Sequence, residues 1–370
     1  MSSTEKDLSL KLRTMRYLWH LGYFVRRNVD LVEYGFEKAR TYTDIDVLGV
    51  KMDESLFSAY VVCDCKSGIT VKTPERLFWL SGVMTYFGAD EGLFIRNTMM
   101  ESKYLALSRR LRIAPVSTLE LSDLEKTYAI PDRFFGPFCE EQGNTEAIFS
   151  ELKKEVPLVH DYILKRYWKD TPSQQIVTLI SHCHKIKEIR RLEDFKQTFV
   201  LAYAFSLLSL STLQLAKTVL MIPSDQREMV AKYELLGGEE ALADRTKLMG
   251  RFYDFMVNEI LQRYKEKFPV TKSQFLESLL PEYSKHFADL MLRFCQNPAS
   301  SIFVPRMMDL LAFEFALNNR KVSFDDVASS RNRISLKPFK DFLVFANRSG
   351  LTTSKFEETA SEFSNVLEGD

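Results

Sequence analysis

The chain has 370 residues, of which 45% are apolar and 27% charged, an ordinary soluble profile that excludes a disordered or collagen-like protein. That length points to two domains, or three small ones. The 50 Lys plus Arg balance 50 Asp plus Glu, which argues against a strongly basic nucleic-acid coat but leaves room for a local basic cleft, because the field depends on arrangement as well as on total charge.

The first third reads as mixed α and β. Ser3 or Thr4 can cap a helix running to about Leu21, with Leu8, Leu12, Met15, Leu18 and Trp19 at helical spacing and Gly22 as its stop. Tyr23 to Val32 suits a first strand. Thr43 to Lys51 and Ala59 to Lys66 suit a second and third, both rich in β-branched or small apolar residues. Thr73-Pro74-Glu75 then opens a helix with Leu77, Leu80, Met84 and Phe87 on its apolar face and Gly88 to close it. A short strand lies within Glu91 to Arg96, a helix over Lys103 to Leu111 and a fifth strand over Ile113 to Ser117. Strands alternating with helices imply a sheet covered by helices.

Ala129 to Thr145 holds Pro131, Gly136, Pro137 and Gly143 and reads as a linker. Beyond it only helical periodicity is found, over roughly 146–168, 172–189, 192–221, 224–236, 239–267, 272–296, 299–319, 336–348 and 353–366. The expected organisation is an α/β domain over 1–128, a linker over 129–145 and an all-α domain over 146–370. One segment, Phe199 to Ala216, carries no charge over about 18 residues, near the lower limit for a membrane span. Its Ser206, Ser209, Ser211, Thr212 and Gln214, and the close flanking Lys196 and Lys217, favour a buried central helix over a membrane helix. Five cysteines in a chain of this length do not make a disulfide framework. Their odd number, and a start without the pattern of a signal peptide, predict a reducing, cytoplasmic setting.

Chemistry concentrates in Asp46 and in Asp64-Cys65-Lys66. Residues two apart in a strand face one side, so Asp64 and Lys66 project together while Cys63 and Cys65 turn to the other face. An acid and a lysine on a largely apolar strand are costly unless paired or binding something. Asp46 sits in a second apolar strand, Ile45-Asp46-Val47-Leu48. If the two strands are neighbours, two carboxylates and one ammonium converge, a set that suits a hard divalent cation such as Mg²⁺. The alternative is a structural salt bridge between Asp64 and Lys66, with Asp46 in a turn.

Ile45-Asp46-Val47-Leu48, followed by Val62-Cys63-Asp64-Cys65-Lys66-Ser67, resembles the PD-(D/E)xK nuclease superfamily, in particular Mrr-like restriction endonucleases and archaeal Holliday-junction resolvases. The order of elements agrees: a leading helix ending in Leu21-Gly22-Tyr23, a helix with Pro74-Glu75-Arg76-Leu77 and Trp79-Leu80-Ser81-Gly82, then the strand Gly92-Leu93-Phe94-Ile95. The similarity covers about residues 4–120. It implies a restriction-endonuclease-like sheet in which Asp46, Asp64 and the main-chain carbonyl of Cys65 hold Mg²⁺ (or Mn²⁺). Lys66 then orients the attacking water or stabilises charge on the phosphate. It also implies a metal-dependent endonuclease acting on nucleic acid, DNA in the first place, within a prokaryotic or phage genome-defence system. No membrane partner is expected, and the helical domain is left for self-association or a partner protein of that system.

The family pattern adds a Glu from the first helix, at a position that falls here near Ser9. Glu5, Asp7, Glu33 and Glu37 are the alternatives. A missing acid would suit a second function, a nuclease-like fold that binds or assembles without cutting. Among basic residues, Arg76 is the best placed beside the site. Lys72, Arg26-Arg27 and the Arg109-Arg110-Arg112 cluster are weaker candidates for phosphate. His182-Cys183-His184 cannot hold one ion from a helix, because residues two apart point about 200° apart.

Overall fold

A computed structural model of the chain describes residues 3–34, 39–68, 72–139, 142–264, 270–278, 280–318, 320, 322–327 and 335–369. Its first part is a five-stranded mixed sheet of β1 (Phe24–Tyr34), β2 (Ala39–Met52), β3 (Ser58–Lys66), β4 (Glu91–Arg96) and β5 (Ile113–Ser117), in that spatial order. The β1, β2 and β3 strands run antiparallel to one another, whereas β3, β4 and β5 are parallel. Parallel neighbours need crossovers, and helices α2 (Thr73–Phe87) and α3 (Ser102–Arg110) supply them.

The leading helix α1 (Ser3–His20) buries Leu12, Met15, Leu18 and Trp19, the predicted stripe, so its apolar face sets its seat on the sheet. Helix α2 ends where Gly88 takes φ 77° and returns its N–H to the carbonyl of Met84. Across from α2, a Cβ on Gly92 would lie 2.7 Å from the Met84 sulfur and 3.1 Å from Ile113 Cγ1, so a larger residue there would have to push these side chains aside. Helix α4 (Thr118–Thr127) follows β5 without a loop. Ser117 caps Glu120 N–H, and the Glu120 side chain returns the bond to Ser117 N–H.

The rest of the described chain is helical. Three of the long predicted helices are broken beside prolines inside them: the first divides into Gln142–Glu155 and Pro157–Asp161, 272–296 into Lys272–Glu277 and Ser284–Gln296 around Pro281, and 299–319 into Pro298–Ser301 and Val304–Leu310, with Pro305 in the first turn of the latter. Proline has no N–H to bond the preceding turn but is at home in the first turn of a helix. The Phe199–Ala216 segment lies in the helix Asp194–Leu220, whose apolar stretch is 94% buried inside the protein. Its hydroxyls tolerate burial because they bond back along the helix, Ser209 to the Ser206 carbonyl at 2.9 Å and Thr212 to the Leu208 carbonyl at 2.7 Å. The protein should therefore partition into the aqueous phase of a detergent phase separation; recovery in the detergent phase would contradict the buried placement.

Within 129–145, residues 135–139 are packed rather than free. Phe135, Phe138 and Cys139 are buried, Trp19 meets Phe135 and Phe138 edge-on, and Gly136 N–H donates to Glu314 Oε1 at 2.8 Å. Sheet and helices share one continuous apolar core. A buried polar joint crosses it: Arg26 of β1 donates to both carboxylate oxygens of Asp309 at 2.8 Å and to Ser206 Oγ at 2.6 Å.

Candidate functional site

The centre of the sheet carries the chemistry. Val47 pairs with Cys63 across β2 and β3, which sets Asp46 beside Asp64. Strand alternation sends Asp64 and Lys66 to one face and Cys65 to the other, where its sulfur meets Thr14 Oγ1 of α1 at 3.5 Å. The Lys66 ammonium lies 3.1 Å from Asp46 Oδ2 and 3.2 Å from Asp64 Oδ1. Neighbouring strands thus bring the three predicted side chains together. Asp46 and Asp64 are buried, while the Lys66 side chain is 34% exposed and opens the site to solvent. Cys65 contributes through its backbone in one further way, its N–H donating to Asp46 Oδ2 at 2.8 Å. Burial pushes both the Cys63 and Cys65 thiols well up, so neither is a thiolate at neutral pH.

Two further cations enter the site. Lys11, on α1, sits 2.6 Å from Asp46 Oδ1 and donates to Asn28 Oδ1 at 2.8 Å. Asn28 takes φ 51° and drops out of the β1–β2 pairing between the Arg27–Val47 and Val29–Ile45 pairs, with the register unchanged across it. Asn adopts this left-handed conformation more readily than most residues. Arg76, one turn into α2, binds both Asp64 oxygens, with Nε 2.9 Å from Oδ2, and its guanidinium lies over the Trp79 ring, 3.9 Å from the centroid.

Two carboxylates therefore face three cations. Burial alone would raise the pKa of Asp46, but Lys11, Lys66 and the Cys65 N–H outweigh it and hold the carboxyl below its ordinary range. For Asp64 burial wins, helped by the charge on Asp46 and opposed by Arg76 and Lys66, and its pKa is raised. Burial would strip the proton from Lys66, but Asp64 and Asp46 hold its pKa above the ordinary value, so it is an ammonium at neutral pH.

Among the described residues no three His, Cys, Asp or Glu side chains converge on one point. The alternatives for a third acid are placed as follows. Asp7 accepts from Ser67 N–H at 3.1 Å and from its hydroxyl, and exposed Glu33 accepts from the Tyr42 hydroxyl. Ser9 is exposed; Glu37 and the side chain of Glu5 lie outside the described residues. The residue α1 sends to Asp46 is Lys11, which sequence reasoning passed over. Its signal was present, since Asp7, Lys11 and Thr14 form a polar stripe at helical spacing beside the apolar one.

The other basic candidates stand apart. Lys72 pairs with Glu75 at the surface, Arg26 is buried on Asp309, and Arg109, Arg110 and Arg112 are exposed. His182 is buried against the Tyr162 ring with its pKa lowered by burial to about 4, while His184 faces outward. Comparisons with protein-family models, with curated proteins and with solved structures give no match.

Proposed function

We propose that the chain is a divalent-metal-dependent nuclease, with DNA as its first expected substrate and Mg²⁺ or Mn²⁺ as its ion. The observation that carries this reading is one ammonium held within 3.2 Å of carboxylates from two adjacent central strands. The donor set fits the ion: two carboxylates are the usual protein share for Mg²⁺, and Lys66 already occupies a cationic position between them. Asp46 and Asp64 would hold the metal, with the Cys65 carbonyl as a third oxygen. The ion supplies Lewis-acid polarisation of the phosphate and a more acidic bound water. Being protonated, Lys66 suits the role of donor to the phosphate or to the attacking water better than that of base. Arg76, now bound to Asp64, would be free to donate to the phosphate if an ion took over that carboxylate.

The test is incubation of the purified protein with linear, circular and branched DNA, and with RNA, in Mg²⁺, Mn²⁺ or chelator. Metal-dependent cutting is the expected result. A second reading, a nuclease-like fold that binds without cutting, is favoured by Lys11 and Arg76, which satisfy both carboxylates without any ion. Binding to nucleic acid with no cleavage in any metal would select it.

Lys11 competes with a metal for Asp46. Lys11→Met should tighten Mn²⁺ binding by about 1 kcal/mol, roughly fivefold, in isothermal titration. Weaker binding in that variant would mean Lys11 supports the metal site rather than opposing it.

A further inference from the structure

Asn28 joins the site to a second feature. On one side it accepts from Lys11, and on the other it lines a cleft of about 550 Å³ between β1 and the helical segments of residues 142–169. That volume lies in the range of small-molecule sites and is too small for a duplex. The walls carry four cations, Arg26, Arg27, Lys153 and Lys165, and two acids, Asp30 and Glu146; Arg26 is already bound to Asp309. Arg27 is 3.5 Å from Glu146, and Lys165 is 3.8 Å from Asp30, loose pairs with exposed or half-buried acids. Exposed Lys153 has no acid within ion-pair distance among the described residues. Trp168 and Phe149 give the cleft an aromatic side. Thr145 is only 8% exposed, lines the same cleft, and its hydroxyl has no hydrogen-bond partner among the described residues. A buried hydroxyl left without a partner is costly, so a ligand that bonds it is favoured.

We propose that this cleft binds a nucleotide unit, with phosphate against Lys153 and Lys165, a polar edge on Thr145 and the base against Trp168. The inference rests on the nucleic-acid reading of the adjoining site and deepens it: the cleft would take an unpaired nucleotide of a strand that passes Asn28 towards Asp46 and Asp64. Cationic walls beside an aromatic face are the ordinary means of holding single strands. His160, also in the lining, is kept neutral at pH 7 chiefly by burial; Asp161 opposes this, and Lys153 and Lys165 add to it. Arg27 and the two lysines therefore carry the charge that a phosphate would meet.

The test uses the full chain in chelator, so that binding is read without cutting. Fluorescence anisotropy follows a labelled oligothymidylate, with thymidine monophosphate as competitor. The wild type should bind, and a Lys153→Glu/Lys165→Glu double variant should bind at least roughly tenfold more weakly. Loss of two phosphate contacts should also make the salt dependence shallower by about 1.4 in log–log slope. Thr145→Val, close to isosteric, should weaken binding a few-fold without lowering the melting temperature of the free protein, since the hydroxyl it removes is buried and unsatisfied. Displacement by the monophosphate at similar concentration would identify a free nucleotide as the source, and its failure to compete would identify a strand; both support the cleft. Wild-type affinity in the double variant would overturn the assignment and leave the nuclease reading to its own cleavage assay. Failure of the wild type to bind the oligomer while it cuts duplex would also overturn it. Absence of both binding and cutting would end both readings.

Discussion

Replacing Asp64 with Asn should abolish metal-dependent cleavage while leaving the fold in place. The asparagine oxygen can still accept from Arg76, which binds Asp64 through two nitrogens, so the packing of α2 on β3 survives. What goes is the charge that holds the ion. Metal catalysis supplies several kcal/mol of transition-state stabilisation, and about 4 kcal/mol corresponds to roughly a thousandfold in rate. Asp46→Asn should do the same and loosen Lys11 as well, since that ammonium lies 2.6 Å from Asp46. Lys66→Ala should differ in kind: it removes a cation that opposes the ion, so metal binding is kept while rate falls. Asp64→Ala should in addition lose about 1–3 kcal/mol of stability without metal, because Lys66 and Arg76 lose a buried acceptor. Rates in Mg²⁺, Mn²⁺ binding and melting temperature for each variant decide the matter. Full cleavage by Asp64→Asn, or cleavage by the wild type in chelator, would remove the proposed mechanism.

What could be read from the sequence was local. Alternation in Ala59–Lys66 put Asp64 and Lys66 on one face and both cysteines on the other, and the β2–β3 pairing then places Asp46 beside them. Helix ends were legible where glycine or proline marks them, as at Gly88 and Pro74. Misses came from signals weighed too lightly. Ser117 to Glu120 spells a capping box, yet helix α4 was not anticipated. Pro157 and Pro281 lay inside ranges read as continuous helices, and the chain breaks there. The glycines and prolines of 129–145 spell a linker, whereas Phe135 and Phe138 in its middle are buried against Trp19.

The partners of the site residues were a harder matter, because they depend on long-range placement. Arg76 is 12 residues from Asp64, and nothing in its helix distinguishes an arginine aimed at a carboxylate from one aimed at a phosphate. Lys11 reaches Asp46 only because α1 crosses beneath the sheet at the right height. A periodic pattern fixes the face of a helix but not how far along its neighbour each turn lies.

Asp309→Ala should be among the most damaging single changes in the chain. Its side chain is 0% exposed and that of Arg26 is 5% exposed, so removal of the acid leaves a guanidinium buried without its counter-charge. Breaking such a pair typically costs about 3–5 kcal/mol. Arg26 would keep Ser206 as an acceptor and the Phe24 and Tyr203 rings beneath it, at 4.0 and 4.5 Å from their centroids. Those contacts soften the loss without replacing a carboxylate. Arg26→Ala should cost a similar amount for the mirror reason, an unpaired buried acid. Joint replacement by Met at 26 and Leu at 309 should recover most of the stability, because two desolvated charges disappear together. The pair also links β1 to the helical part, which shares one apolar core with the sheet. Urea unfolding followed by both tryptophan fluorescence and far-ultraviolet circular dichroism should therefore give one coincident transition in the wild type. A cost below about 1 kcal/mol for Asp309→Ala would show that solvent reaches the pair. Two separate transitions would show that sheet and helices are stable apart from one another.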